Sequence, residues 1–522
     1  MKRPIVRTLA AVLAVAGFLS ACSSSPTPTG GSADDTSAGT GKSGDTLRLA
    51  YLADMSVPDP DVFYDIEGNA VILSAYEGLV TYEPDGTNIV PLLASSFEAS
   101  ADGLTYTFRL RDGVKFHDGT AMDAAAVKTS FQRRIDVGAA PAYMLAQVAE
   151  MTTPDPATFV VTLKQPVAPF LHYMASSWGP KVMSPKALAD NAGSDNAQGW
   201  AKDHVDGTGP FTLSAFKRGQ RYELSRFDGY WGEKAKFAKV DIRIIPEMGT
   251  QRLQLQSGDL DLILHSFPVA ELASIKNDAK LKIHEFESFL QSLLYINTTK
   301  GPLADLSARK AVAGAIERDS LVTEIYGEYG TPAASPYPPG ILDPTLAPLT
   351  YPEGGKVQGN PSLEFVYSAD ESGVQRRLAE LIQQRLAAAG FKVTIKEVQL
   401  PQVYEYAGNL ADAPDLLLMT NTPDAAHPDT WGRILWGSKG GLNFLGYSNP
   451  AVDALLDQGA ATTDKAASEK FYGEAGKLML EDAPILFLAD VKDVMVGRAG
   501  LTNLRHVPNY PWTLNLAALE RT

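Results

Sequence analysis

The stretch from Leu363 to Lys396 limits the fold more than any other part of the chain. Leu363–Tyr367 is an apolar run of strand length, and Val393–Lys396 is a second one. Between them Val374–Ala389 keeps a helical period, with Leu378, Leu381, Ile382 and Leu386 on one stripe and Gly390 where a left-handed C-cap belongs. A strand, a helix and a strand so closely spaced predict a right-handed crossover and a parallel pair. Parallel sheets bury both faces under helices, so an α/β fold is expected. Further strands are predicted at Leu47–Leu52, Thr158–Leu163, Tyr222–Arg226, Val240–Ile245, Leu293–Ile296 and Leu416–Met419. At 522 residues the chain has room for two to four domains.

A different local pattern occupies Leu104–Val127. Tyr106, Phe108 and Leu110 alternate with Thr107, Arg109 and Arg111, the period of a half-buried strand. Asp112-Gly113 and Asp118-Gly119 then supply tight turns, and Asp123 is placed to cap a helix opening on Ala124, Ala125 and Ala126. His117 and Asp118 are accordingly read as scaffold within a strand, hairpin and helix entry.

The amino terminus carries an address. Lys2, Arg3 and Arg7 precede an apolar run from Leu9 to Leu19, too short to span a bilayer comfortably. The run ends in Leu19-Ser20-Ala21-Cys22, and Cys22 is the only cysteine, so no intramolecular disulfide can form. Residues 1–21 resemble a bacterial lipoprotein signal, which implies lipidation of Cys22 and attachment to the outer face of the cell membrane. The following residues, 22–45, are rich in Ser, Thr, Gly and Pro and read as a flexible tether. Gly41-Lys42-Ser43 imitates the end of a phosphate loop, but Thr36 replaces its first glycine.

Most chemistries are excluded by what the residues fail to do. The formal charge is −15 with no basic block, which argues against nucleic acid. The histidines at 117, 172, 204, 265, 284, 427 and 506 include no pair at ligand spacing, so neither a metal nor another cofactor is expected. No GxSxG, HExxH or GxGxxG element is present, and no enzymatic activity is expected.

Six segments carry a family resemblance in their order along the chain. They are LTYTFRLRDGVKFHDG from 104, DGTGPFTLSAFKRGQ at 206–220, FDGYWGEKAKFAKVDIRIIPE at 227–247, LQSGDLDL at 255–262, YINTTKGPLADLSARKAVAGAIERDSLV at 295–322 and AASPYPPG at 333–340. Together they resemble the extracytoplasmic solute-binding proteins of peptide-type ABC importers, family 5, which includes dipeptide and oligopeptide binders. The resemblance implies a periplasmic-binding-protein-like fold (type II, cluster C-like), with two hinged lobes and an extra domain. It places lobe I at 46–80, 204–297 and 493–522, the extra domain at 81–203, and lobe II at 298–492. It implies a monomer that closes on a peptide and delivers it to a permease and ATPase complex. A cationic non-peptide solute, a sugar, a metal chelate or a sensory role without import stays open.

The same resemblance puts the ligand anchor in LLLMTNTPDAAHPDTW. Asp424 matches the carboxylate that takes a bound peptide's ammonium, and it follows a strand closed by Asn421, Thr422 and Pro423, where open α/β sheets bind ligands. Asn421, His427 and Trp431 are further candidates, Trp431 packing on ligand or on its lobe alike, while Asp429 is expected to cap a helix starting near Thr430. Two departures stand out. Dipeptide binders hold the peptide carboxylate with an Arg after the strand that here is Leu363–Tyr367, and this chain has Ser368-Ala369-Asp370-Glu371. The family's Trp before the anchoring loop is replaced by Leu418, Met419 and Thr420. An oligopeptide held mainly through its backbone would need no such Arg.

Overall fold

The computed structural model describes residues 45–522, apart from Asp85, Ser266, Pro268, Lys356, Gln358 and Glu371 and the side chain of Ala270. The expected signal segment, Cys22 and nearly all of the expected tether therefore lie outside the described residues. Eleven strands form one sheet: β1 (Thr46–Tyr51), β2 (Phe211–Lys217), β3 (Arg221–Arg226), β4 (Lys239–Ile244), β5 (Leu262–Ile263), β6 (Leu281–Ile296), β7 (Gly330–Pro332), β8 (Ser362–Ser368), β9 (Lys392–Val398), β10 (Leu416–Asn421) and β11 (Ile485–Arg498). Their spatial order is β9-β8-β10-β6-β11-β5-β1-β4-β3-β2, with β7 added on β11.

The strand-helix-strand unit is present. β8 and β9 run parallel, with Phe365 opposite Ile395, and β8 is also parallel to β10. Residues 416–419 of β10 are all buried, as a strand covered on both faces must be. One cover is a helix over Val374–Ala388, whose Leu378, Ile382 and Leu386 join Leu416 and Leu418 in one core. Gly390 follows at φ +97, which suits a glycine past a helix end. On the opposite face Leu417 and Met419 pack with Trp431, Leu435 and Phe487.

Two strands run through both ends of the sheet. The Leu281–Phe286 part of β6 pairs with Asp493–Arg498 of β11, and Leu290–Tyr295 pairs with Ile485–Val491. Between them the register shifts, and Glu287, Ser288 and Phe289 have no ladder partner on β11. The sequence pattern marks only Leu293–Ile296 of β6 and none of β11. Charges at Glu285, Asp490, Lys492 and Asp493 break the apolar runs, and they lie close to this interruption.

A separate four-stranded antiparallel sheet is built from Ala94–Ala99, Thr105–Leu110, Thr158–Leu163 and Val148–Asp155. Helix α1 (Ala124–Val137) covers it, with Phe131 edge-on to Phe159 at 5.2 Å between centroids. Asp123 caps α1 by accepting from the Ala126 N–H at 2.8 Å. His117 is fixed by Gly207 and Gly209, and Asp118 accepts from Thr120 and Ser184, so both serve the scaffold. Arg133 and Arg134 of α1 tie this sheet to the loop after β1. Arg133 donates to Asp59 at 2.6 Å and Asp61 at 2.7 Å, and Arg134 to Asp61 at 2.8 Å, all four being buried. No helix among the described residues is long and apolar enough to cross a membrane.

Candidate functional site

β10 ends where Pro423 can donate no ladder hydrogen bond, and the loop 422–428 carries the chain to α2 (Asp429–Leu435). Thr430 staples that loop, its hydroxyl donating to the carbonyls of Ala425 (2.5 Å) and His427 (2.8 Å). Residues far earlier and later in the chain grip it from the other side. The Ser176 hydroxyl donates to the Asp424 carbonyl at 2.5 Å, the Ala426 N–H donates to the Tyr82 hydroxyl at 2.9 Å, and the Asn509 amide donates to the Pro423 carbonyl at 2.7 Å. A loop held this way by backbone contacts sets the direction of one side chain.

That side chain is Asp424, which is 6% exposed. Its Oδ2 accepts from the hydroxyls of Tyr64 and Tyr143, the latter at 2.5 Å, and its Oδ1 takes no hydrogen bond from the described residues. Tyr64 stands edge-on to Trp178 at 5.6 Å and Tyr143 edge-on to Tyr173 at 5.5 Å, so both hydroxyls are held by ring packing. Tyr64, Tyr143 and the nearby Tyr404 remain 37%, 37% and 47% exposed. Burial raises the Asp424 carboxyl from 3.8 to about 6, and the Tyr143 and Tyr64 hydroxyls pull in the other direction. Among the described residues no Lys or Arg pairs with it, so it is ionised at neutral pH without a cationic partner.

The other candidates occupy different surroundings. Asn421 is half-buried at the end of β10 and donates to the Tyr295 hydroxyl at 2.8 Å. His427 lies between His172 (5.2 Å) and Tyr472 (5.6 Å), with Nδ1 accepting from the Asp429 N–H. Burial, and secondarily His172, holds it well below its usual range, so it is neutral. Trp431 is wholly buried, its indole N–H donating to Gln291 (3.1 Å) and the Pro336 carbonyl (2.9 Å), which spends it inside the core. Asp429 does not cap the helix. It is the first residue of α2, and its carboxylate pairs with Arg433 at 2.9 Å and accepts from Tyr472 at 3.1 Å. No group of three or more His, Cys, Asp or Glu among the described residues is placed to hold a metal ion.

After β8, where the resemblance leads to the expectation of an Arg, Asp370 builds local structure. Asp370 accepts from the N–H groups of Val374 and Gln375 at 3.1 Å each, closing the helix that links β8 to β9. Gln375 in turn donates to Thr420 on β10 at 2.7 Å. The strand ends beside the 422–428 loop therefore present neutral polar groups and a carboxylate. Tyr64, Tyr82, Tyr143, Ser176 and Asn509 are absent from the sequence-derived candidates. They come from five separate segments, and no spacing in the sequence links them.

A family model described as "Bacterial extracellular solute-binding proteins, family 5 Middle" matches residues 88–443. The chain is 32% identical over 460 residues to the probable D,D-dipeptide-binding periplasmic protein DdpA of Escherichia coli strain K12, covering 85% of this chain and 88% of that one. It is 28% identical over 477 residues to the glutathione-binding protein GsiB of Pectobacterium atrosepticum, covering 86% and 90%. Among solved structures, the Helicobacter pylori periplasmic binding protein DppA in complex with peptide STSA superposes with a TM-score of 0.78 at 24% identity, covering 92% of this chain and 98% of that one. NikZ from Campylobacter jejuni in complex with Ni(L-His) superposes with a TM-score of 0.78 at 21% identity, covering 91% and 99%. At these identities the structural likeness establishes the fold.

Proposed function

The chain belongs to the bacterial extracellular solute-binding proteins of family 5, and from that premise we propose that it captures peptides bearing a free amine and delivers them to an ABC importer. The observation that carries this reading is Asp424: a buried, ionised carboxylate with two tyrosine donors on one oxygen and, among the described residues, no cationic partner and no donor to the other oxygen. A ligand ammonium supplies the missing charge, and in a site closed to water such a pair binds strongly. The relatives named for D,D-dipeptides and for glutathione support a peptide with an amine to offer.

Closure follows from the two through-running strands. We place the hinge at the ladder interruption, Glu287–Phe289 opposite Lys492, which sets the first crossing about ten residues before the boundary expected at 297. The clasping lobes are then the two ends of the sheet, with the 81–203 segment packed on the first. Tyr64, Tyr143 and Ser176 meet Asp424 across the cleft. Because residues 368–371 contain no Arg, the ligand's carboxyl end is held by something other than a guanidinium there, which suits peptides longer or differently terminated than a plain dipeptide. Trp431 belongs to the packing of lobe II rather than to the ligand. The working protein is a monomer tethered to the membrane through lipidated Cys22.

Calorimetric titration with panels of peptides, sugars and metal chelates tests this assignment. Binding confined to amine-bearing peptides, and lost on N-acetylation, is expected. Tight binding of a sugar or chelate with none of any peptide would overturn it.

A further inference from the structure

A cavity of about 350 Å³ opens between the loop and helix around residues 73–84 and the carboxyl-terminal segment 503–518. Its size lies at the lower end of small-molecule sites, which run from roughly 300 to 1,000 Å³. Tyr76, Tyr82, Tyr230 and Tyr510 furnish aromatic walls, and Lys236 and Arg505 stand along it. Lys181 also lines it and is 4% exposed.

Lys181 is unusual among the buried charges. Its ammonium donates to the Ser176 carbonyl at 2.8 Å and makes no ion pair among the described residues. Burial lowers it to about 7, and the like charge of Arg134 adds to that. By contrast, Arg133 and Arg134 each meet an aspartate. An ammonium has three donors, and leaving two unspent in a buried setting is costly unless an acceptor comes to them. Of the other buried ionisable groups of the wall, Glu77 is already served by Thr208 (2.8 Å), Tyr230 (2.8 Å) and Trp231 (2.9 Å), and His506 lies 3.2 Å from the Asp493 carboxylate. Lys236 pairs with Glu233 at 3.0 Å, and Arg505 donates to the Asn503 amide oxygen at 3.3 Å with the Glu233 carboxylate also within electrostatic reach. The unspent donors of this cavity are therefore those of Lys181 and Arg505 together with the Tyr76 hydroxyl, which is buried without a hydrogen-bond partner among the described residues.

We propose that the cavity beside Lys181 is a second ligand site, taking a small organic carboxylate with a flat apolar body, distinct from the cleft at Asp424. The carboxylate would accept from Lys181, and the body would lie among the tyrosines. The site is joined to the anchoring loop by short paths. Lys181 holds the carbonyl of Ser176, whose hydroxyl holds the carbonyl of Asp424, and Tyr82 of the wall holds Ala426.

The test uses the purified mature chain with benzoate and acetate as probes. Benzoate should bind saturably by calorimetry below about 10 mM. Lys181→Met should weaken it at least tenfold, while Asp424→Asn should leave it within twofold. Unprobed K181M should unfold no lower than the wild type, because methionine removes a buried unpaired charge at similar volume. A crystal soaked with 4-iodobenzoate provides the independent check, with anomalous iodine density expected in the cavity. Absence of saturable binding by either carboxylate, binding undiminished in K181M, or iodine located only elsewhere would each overturn the proposal.

Discussion

Replacing Asp424 by Asn separates the two consequences of burying that carboxylate. In the ligand-free protein the charge is a burden: the gap between 3.8 and about 6 corresponds to ~3 kcal/mol of destabilisation at neutral pH. The sign follows from the protons. Between pH 4 and 6 the folded state keeps a proton that the unfolded state has released, so stability falls as pH rises through that window and stays lower above it. Asn keeps the shape, can still accept from one tyrosine hydroxyl, and carries no charge. D424N should therefore be more stable than wild type at pH 7, by up to ~3 kcal/mol, and should lose the decline between pH 4 and 6. With ligand the order reverses. An amine-bearing peptide loses its charge partner, which costs roughly 2–5 kcal/mol, or about 30-fold to several thousand-fold in affinity. Denaturant unfolding gives the first quantity and calorimetry with a peptide and its N-acetyl form gives the second. Equal stability together with unchanged peptide affinity would refute the account of Asp424 as an unpaired carboxylate awaiting a cation.

Peptide affinity should fall about tenfold for each pH unit below 6, as Asp424 becomes protonated, and Tyr143→Phe should move the onset to higher pH by removing a donor that favours the ionised form; calorimetry across pH 5–8 would show it, and a flat profile would count against the mechanism. Arg134→Met leaves Asp61 short of a buried partner and strips hydrogen bonds from the carbonyls of Pro60 and Trp178, so denaturant unfolding should register a loss of roughly 3–5 kcal/mol. A loss below ~1 kcal/mol would mean the pair is replaceable by packing alone. Cys22→Ser should abolish fatty-acid labelling and release the protein from the membrane fraction, with the peptide affinity of the purified chain unchanged; continued membrane attachment would remove Cys22 from the anchoring role.

What the sequence disclosed depended on how local each feature is. The β8-helix-β9 unit was legible because period, cap and strand length all fall within some forty residues, and β10 because its buried stretch is uniformly apolar. β11 was not, since Asp490, Lys492 and Asp493 interrupt it. Each of those charges has a partner brought by the fold: Gln291 for Asp490, Glu285 for Lys492, His506 for Asp493. Asp424 could be singled out by its place after a strand, yet its tyrosines could not. Tyr64 and Tyr143 lie 360 and 281 residues away, and their meeting is a property of the tertiary fold rather than of any motif. Asp429 misled for a related reason. Helix entry favours a capping carboxylate, but Arg433 one turn on and Tyr472 from a distant helix compete for it and win.

Native mass spectrometry of the protein purified from its own host tests the central claim most directly. The account predicts a co-purifying mass that fragments into amino-acid residues with a free amine and is absent from D424N. A sugar, a metal chelate, or the same mass retained by D424N would contradict it.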